Sequence, residues 1–302
     1  MYCSNACQKK DWKAHKPQCA KWKADNAIKT AALAAAGDAE SLTELAFMHS
    51  EGRGVQKNTA LARTYFERAA AMGDANGLFS MSIYADEDGH VEEALRLLSR
   101  SAEAGCLQAM HNLSMALSTG FLTGSSKSRV PVDDVAAISW LRKASALGFG
   151  DSTTNLGNRY RYGRGVPRDL AAALVFYRKT VETGQDLTGI AALAAAQLLI
   201  GKQGNLAGFA SSETMSRDPL LPSNPAAALP FFEQAAARGQ ADAAFSAAVM
   251  HMTGFGIEKS ILWIRFMKRA IFLESKGAQN FLRNNNLELR EGIDDQVFTI
   301  KP

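Results

Sequence analysis

Leu156-Gly157-Asn158-Arg159-Tyr160-Arg161-Tyr162-Gly163-Arg164-Gly165-Val166 is the stretch that decides the fold, because the chain contains it more than once. Leu45-Ala46-Phe47-Met48-His49-Ser50-Glu51-Gly52-Arg53-Gly54-Val55 repeats its leucine, the small residue after it and the Gly-Arg-Gly-Val ending. A looser copy runs through Ala248 and His251 to Gly254-Phe255-Gly256-Ile257. After each copy comes an Ala-rich segment carrying two adjacent large side chains, as in Tyr65-Phe66 and Phe176-Tyr177; Phe231-Phe232 occupies the same place in a further segment. Such segments end at small-residue stops: Gly73, Gly105, Gly148, Gly184, Gly239 and Gly277. Counted from Gly37, these stops are 36, 32, 43, 36, 55 and 38 residues apart. Self-similarity at that period is the signature of a helical repeat array.

The physical logic is that of paired helices. Glycine just past a helix adopts the left-handed conformation that satisfies the last carbonyls, and the Gly-x-Gly pair reverses the chain between two antiparallel helices. Alanine combines the highest helix propensity with a side chain small enough for close packing. One such pair cannot bury its own apolar face, so at least three must stack. The third unit carries an insert at Gly124–Val132 and the fifth a polar one at Gly201–Asn224, both expected as surface loops. The second unit shortens its turn to Asp86-Glu87-Asp88-Gly89.

The pattern Leu-Gly-x-x-Tyr-x-x-Gly-x-Gly-Val-x-x-Asp, followed by an Ala-rich helix and Ala-x-x-Gly, resembles the Sel-one-like repeat, a relative of the tetratricopeptide repeat. Residues 151–184 match best, with Asp169 at the turn exit. The resemblance implies an all-α protein, an α-solenoid of about six antiparallel helix pairs that binds peptides or partner proteins on its surface. The units fall at 38–73, 74–105, 106–148, 149–184, 185–239 and 240–277, within an array at 38–277. A linker or first helix is expected at 23–37, and a capping helix with a loose tail at 278–302.

The other distinctive segment is Tyr2-Cys3 to Cys19. Cys3, Cys7, His15 and Cys19 are four soft ligands within seventeen positions, and Cys106 is the one further cysteine. Tyr-Cys-Ser-x-x-Cys-Gln-x-x-Asp-Trp-x-x-His-Lys-x-x-Cys resembles the C-terminal half of a MYND-type zinc finger, which is expected over residues 1–22. The complete family pattern has two earlier Cys-x-x-Cys pairs and two interleaved Zn2+ ions. Cys3 and Cys7 would serve one ion, His15 and Cys19 the other, so each site keeps half of its four ligands. Three arrangements stay open. Either the start is expected upstream of Met1, with the missing pairs; or the four ligands close around a single ion, His15 and Cys19 sharing a helix face; or the segment holds no metal. The resemblance also implies a peptide-docking role, for which Gln8 and Trp12 are the candidate contacts.

Charge is uneven. Residues 1–30 carry seven lysines against Asp11 and Asp25, a local +5 in a chain of net +4. The rest is near neutral, which argues against a nucleic-acid-binding face on the array. Nucleic-acid binding through the basic N-terminal segment is kept as an alternative from another class, and a substrate-recruiting subunit of a ubiquitin-ligase complex as one from the same class. The longest apolar stretch, Gly189–Ile200, is twelve residues, too short for a membrane span. Without a signal-peptide-like start and with few cysteines, a cytoplasmic or nuclear location is expected.

Candidate chemistry is sparse. His49 and His251 fall at the Tyr160 position of the aligned units, where a packed ring is the simplest reading. His90 and His111 have no partners at useful spacing, and Cys106 reads as a small buried hydrophobe. No phosphate-binding loop or small-molecule site is found. Arg159, Arg161, Arg164 and Arg168 form the most charged patch of the array and are candidate contacts for an acidic peptide. Ser125, Ser126 and Ser128 beside Lys127 and Arg129 form a weak candidate phosphorylation site. The reading is a non-catalytic adaptor or scaffold with zinc at its N-terminus.

Overall fold

The structure, a computed structural model, describes residues 25, 27–122, 129–201 and 223–285, and the backbone of 287–290 and 297–300. Two compact units divide the chain at Leu147 and Gly148. The first holds a helical stretch over 27–35 and six helices: α1 Ala39–Glu51, α2 Thr59–Ala71, α3 Ala75–Glu87, α4 Val91–Glu103, α5 Leu107–Thr119 and α6 Asp134–Ala146. The second holds α7 Gly150–Tyr162, α8 Leu170–Glu182, α9 Ile190–Ile200, α10 Pro225–Ala237, α11 Ala241–Thr253, α12 Leu262–Phe272 and α13 Lys276–Asn284. Within each unit every helix packs on the one before and the one after, as stacked hairpins do. Among the described residues the architecture is all-α apart from one short strand pair.

Caps start the helices where the sequence has Asp, Asn or Ser. Asn58 accepts from the amide of Leu61, Asp133 from Ala136, Asp169 from Ala172 and Asn224 from Ala227. Each satisfies a donor that the first helical turn leaves free. These four residues open α2, α6, α8 and α10, the second helices of their pairs.

The same residues close the pairs. The Asn58 amide donates to the His49 carbonyl, Asp133 to Leu117, Asp169 to Tyr160 and Asn224 to Leu199, and Ser260 donates to His251. The bonded residues are nine apart in the first, fourth and sixth pairs, sixteen in the third and twenty-five in the fifth. One bond therefore closes loops of three lengths. Lengthening a flexible loop from nine to twenty-five residues costs only about 1 kcal/mol of closure entropy, so inserts leave the hairpin intact. The third insert is also pinned at its base by an antiparallel bridge between Phe121 and Arg129. Its serines, Ser125, Ser126 and Ser128, lie outside the described residues, as does most of the fifth insert.

Alanine and one close glycine set the core of the second unit. In α9 all but three of eleven residues are buried, five of them alanines, so neighbouring helices approach on both sides. Gly157 of α7 lies against the Tyr177 ring of α8, where an added Cβ would sit 2.5 Å from a ring carbon. No described helix is long and apolar enough to cross a membrane.

Three features depart from the sequence reading. The last stop is Glu274, not Gly277. Glu274 holds φ at 61°, the place that Gly184 and Gly239 fill at the ends of α8 and α10, while Gly277 is buried in the first turn of α13. Where a capping helix and loose tail were expected at 278–302, α13 ends at Asn284 and the backbone then pairs Leu287–Arg290 with Val297–Ile300 antiparallel. Leu287 and Leu289 alternating with Glu288 and Arg290, and Phe298 and Ile300 on either side of Thr299, give a strand period that a helical frame obscures. Finally, α9 is capped from a distance. Asp186, buried, accepts from the amides of Ala191 at 3.2 Å and Ala192 at 2.8 Å, so its charge faces the positive end of the helix.

Glu274→Gly is expected to stabilise the chain by about 1 kcal/mol, since a side chain in the left-handed region costs that much. Asp186→Ala is expected to cost about 2 kcal/mol, the loss of two charge-assisted bonds to a helix terminus. Urea unfolding of the second unit, followed through far-ultraviolet circular dichroism, checks both: the midpoint rises in the first variant and falls in the second.

Candidate functional site

The adjacent large residues of each second helix divide their labour. Phe66, Tyr177, Phe232 and Met267, the second members, enter the core at 3 % exposure or less. The first members turn to the neighbouring first helix. Tyr65 stacks on His49 with centroids 5.8 Å apart, Phe176 on Tyr160 at 5.4 Å and Phe266 on His251 at 5.5 Å. Phe231 instead lies under the Arg178 guanidinium, 5.9 Å from its ring. The helix period puts adjacent residues about 100° apart, so one side chain faces inward and its neighbour faces the pair.

His49 and His251 are thus ring-slot residues. His49 Nδ1 lies 3.2 Å from the Gln56 carbonyl, and His251 Nε2 lies 3.1 Å from Glu233 Oε1. Cys106 is buried, its thiol 3.5 Å from Asn76 Oδ1. His90 sits at the start of α4, and His111 is half-buried in α5. Among the described residues no group of three or more His, Cys, Asp or Glu side chains could hold a metal ion. Cys3, Cys7, His15 and Cys19 lie outside the described residues, and so do Gln8 and Trp12.

The four arginines separate into one buried and three at a turn. Arg159 is buried on the core side of α7. Arg161 and Arg164 lie over the Tyr162 ring, 5.4 and 5.5 Å from its centre, and Tyr162 is 45 % exposed. Arg168 Nε donates to the Arg161 carbonyl at 3.2 Å, and Arg161 Nη2 donates to Gln197 Oε1 of α9 at 3.1 Å. None of the three has an ion-pair partner among the described residues. Three other arginines of the array do form ion pairs: Arg53 with Glu44 at 2.8 Å, Arg96 with Glu93 at 2.6 Å, and Arg63 with Asp88. An aromatic ring flanked by unpaired guanidinium groups offers anionic groups both charge and a flat apolar surface. The participation of Tyr162 and Gln197 was not read from the sequence. Tyr162 could have been found there, two arginines within two positions of an exposed ring; Gln197, thirty-six positions from Arg161, could not.

The Sel1 repeat family matches at residues 39–74, 88–106, 107–149, 150–182, 216–240 and 241–262, more than half of the chain. The protein belongs to the Sel1 repeat family. The MYND finger matches at residues 1–19. Two solved structures share the fold. One is c5321, described as a protective antigen present in uropathogenic Escherichia coli strains displaying an SLR fold. It is 24 % identical, with 86 % of this chain and 51 % of that one covered and a TM-score of 0.64. The other is a Sel1 repeat protein from Oxalobacter formigenes, 19 % identical, with 82 % and 65 % covered and a TM-score of 0.61. The chain therefore spans about half the length of the first and just under two thirds of the second. Sel1 repeats generally mediate protein–protein interaction. Helices α3 and α9 fall outside the matched segments, yet both pack into the stack like their neighbours. Their place in it comes from packing, not from repeat signature.

Tyr177 is the residue on which the best-matched Sel1 unit turns. It is fully buried, and its hydroxyl donates to Asn158 Oδ1 at 2.7 Å. Burial pushes its pKa from the ordinary 10.0 up to about 12, against the opposing pull of the Arg161 charge. A phenol held neutral in the folded state contributes stability below pH 10, and that contribution is lost as pH rises from 10 to 12. Tyr177→Phe is expected to cost about 1 to 2 kcal/mol at pH 7 by orphaning the Asn158 carbonyl. It should also flatten the stability loss between pH 10 and 12, read as urea midpoints across that range.

Proposed function

We propose that this protein is a non-catalytic adaptor that holds an acidic segment of a partner protein at the arginine turn between α7 and α8, with its N-terminal finger as a second, zinc-dependent contact. The observation that carries this reading is the gathering of Arg161, Arg164 and Arg168 at one turn, two of them over the exposed Tyr162 ring and none with a carboxylate partner among the described residues. Leaving three guanidinium groups together costs repulsion, which an incoming carboxylate-rich peptide removes. The exposed Tyr162 between two of them supplies the apolar contact that turns general attraction into a preferred position.

The non-catalytic reading is supported by where the reactive side chains lie. His49, His251 and Cys106 all contact groups of the repeat itself, in ring slots or the core. For the finger, support comes from the MYND match over residues 1–19, which covers Cys3, Cys7, His15 and Cys19. Thiolates and imidazole are the ligand set zinc prefers, and the lysines around them would offset the thiolate charge. Peptide contact through Gln8 and Trp12 belongs to the same proposal.

Two measurements test it. A fluorescein-labelled twelve-residue peptide of alternating Glu and Asp is expected to bind the full chain saturably, read by anisotropy. Arg161→Glu, Arg164→Glu and Arg168→Glu together should weaken it at least tenfold, each exposed charge contributing about 0.5 to 1 kcal/mol; unchanged binding would remove the arginine turn from the reading. Elemental mass spectrometry of the purified chain is expected to give close to one zinc per chain, falling to zero in Cys3→Ser with Cys7→Ser. A metal-free wild type would restrict the function to the repeats.

A further inference from the structure

Helix α12 is more apolar than its packing requires. Leu262, Trp263, Ile264, Phe266, Met267, Ala270, Ile271 and Phe272 make up most of its length; Met267 and Ala270 are buried and Trp263, Phe266 and Ile271 pack partly against the core, but Leu262 and Phe272 stay exposed. Phe272 is 78 % exposed and Ile261, just before the helix, 77 %. With Leu262 and with Ala236 and Ala237 of α10 they line an open groove of about 1300 Å3 between the second helices of the last two pairs. Water against that much aliphatic and aromatic surface is unfavourable by roughly 25 cal/mol for each Å2 that a partner could cover.

The charges along the groove have one sign. Arg265, Lys268 and Arg269 line it, and its one carboxylate, Glu233, already faces His251 at 3.1 Å. Arg269 is occupied too, donating to the Ala236 and Ala237 carbonyls at the end of α10. Arg265 and Lys268 form no ion pair among the described residues. A second copy of the same groove would bring these cations against each other, which disfavours a symmetric dimer here. The walls are two helices whose main-chain groups are bonded internally, so they offer no ladder to an extended strand. An entering segment must satisfy its own backbone, as a helix does.

We infer that the groove between α10 and α12 is a docking site for an acidic amphipathic helix of a partner protein. Its apolar stripe lies on Ile261, Leu262 and Phe272, and its flanking carboxylates meet Arg265 and Lys268. The eleven residues of α12 span about 16 Å, enough for three turns of the incoming helix. This inference rests on the adaptor reading and adds a second contact on other helices, one that selects helical partners where the arginine turn selects charge.

The test uses the full chain and a fourteen-residue fluorescein-labelled peptide with leucines on one helical stripe and glutamates flanking it, plus a scrambled peptide of identical composition. The striped peptide is expected to bind saturably, at least tenfold tighter than the scrambled one, and to gain helical circular dichroism on binding. Ile261→Ser with Phe272→Ser should weaken it at least tenfold. Arg265→Glu with Lys268→Glu should do the same and should favour a peptide whose glutamates are replaced by lysines; all four side chains are exposed or half-buried, and the thermal midpoint of each variant reports an intact fold. Equal binding of striped and scrambled peptides would overturn the inference, as would wild-type affinity in both α12 variants or concentration-dependent self-association abolished by the Phe272 change. Binding lost only in the Arg161, Arg164 and Arg168 variant would sink the groove and leave the adaptor reading standing. Failure of every acidic peptide to bind would sink both.

Discussion

One backbone hydrogen bond organises five of the six hairpins: the amide at the entry of the second helix donates to a carbonyl near the end of the first. It occurs as Asn58 to His49, Asp133 to Leu117, Asp169 to Tyr160, Asn224 to Leu199 and Ser260 to His251. In the first, third, fourth and fifth pairs, the donating residue also caps the helix it opens. A single short polar side chain thus fixes the start of one helix and its register against the other. Once that register is set, the ring slot follows, because His49, Tyr160 and His251 each lend their carbonyl to the bond and their ring to a partner on the second helix.

That arrangement explains why the polar residues of the array are poor candidates for chemistry and good ones for recognition. Groups near a hairpin closure are held by it; groups beyond the turn are not. Arg161 reaches across to Gln197 and supports Arg168 through its carbonyl, so the turn is ordered without any carboxylate. Arg265 and Lys268 are in a similar position on α12. A repeat protein can leave cations unpaired in this way because each hairpin draws its stability from its neighbours' apolar faces rather than from surface ion pairs, which contribute little.

The departures from regularity lie where a packing demand overrides a local one. Glu274 adopts a glycine conformation at the end of α12, since the chain must turn there for α13 to pack on α11 and α12. Asp186 caps α9 from four positions before its first residue, where a sequence scan would look for a cap immediately ahead of the helix. Gly189 holds that adjacent place instead, against the Ala235 backbone of α10. For Gly189 the deciding contact is to a helix distant in sequence.

What the sequence by itself determined was the unit: the Gly-x-Gly turn, the Asp or Asn at its exit, the two large residues of the second helix and the alanines between them. These are local requirements of caps, turns and periodicity, so they recur at a readable spacing and reveal the array. Only tertiary structure decided which member of each large pair enters the core, and that Arg159 is buried while Arg161, Arg164 and Arg168 gather at one turn. It also decided that Leu262 and Phe272 of α12 stay exposed. Burial and pairing depend on what a neighbouring helix brings to the contact, and that neighbour is specified fifteen or more positions away.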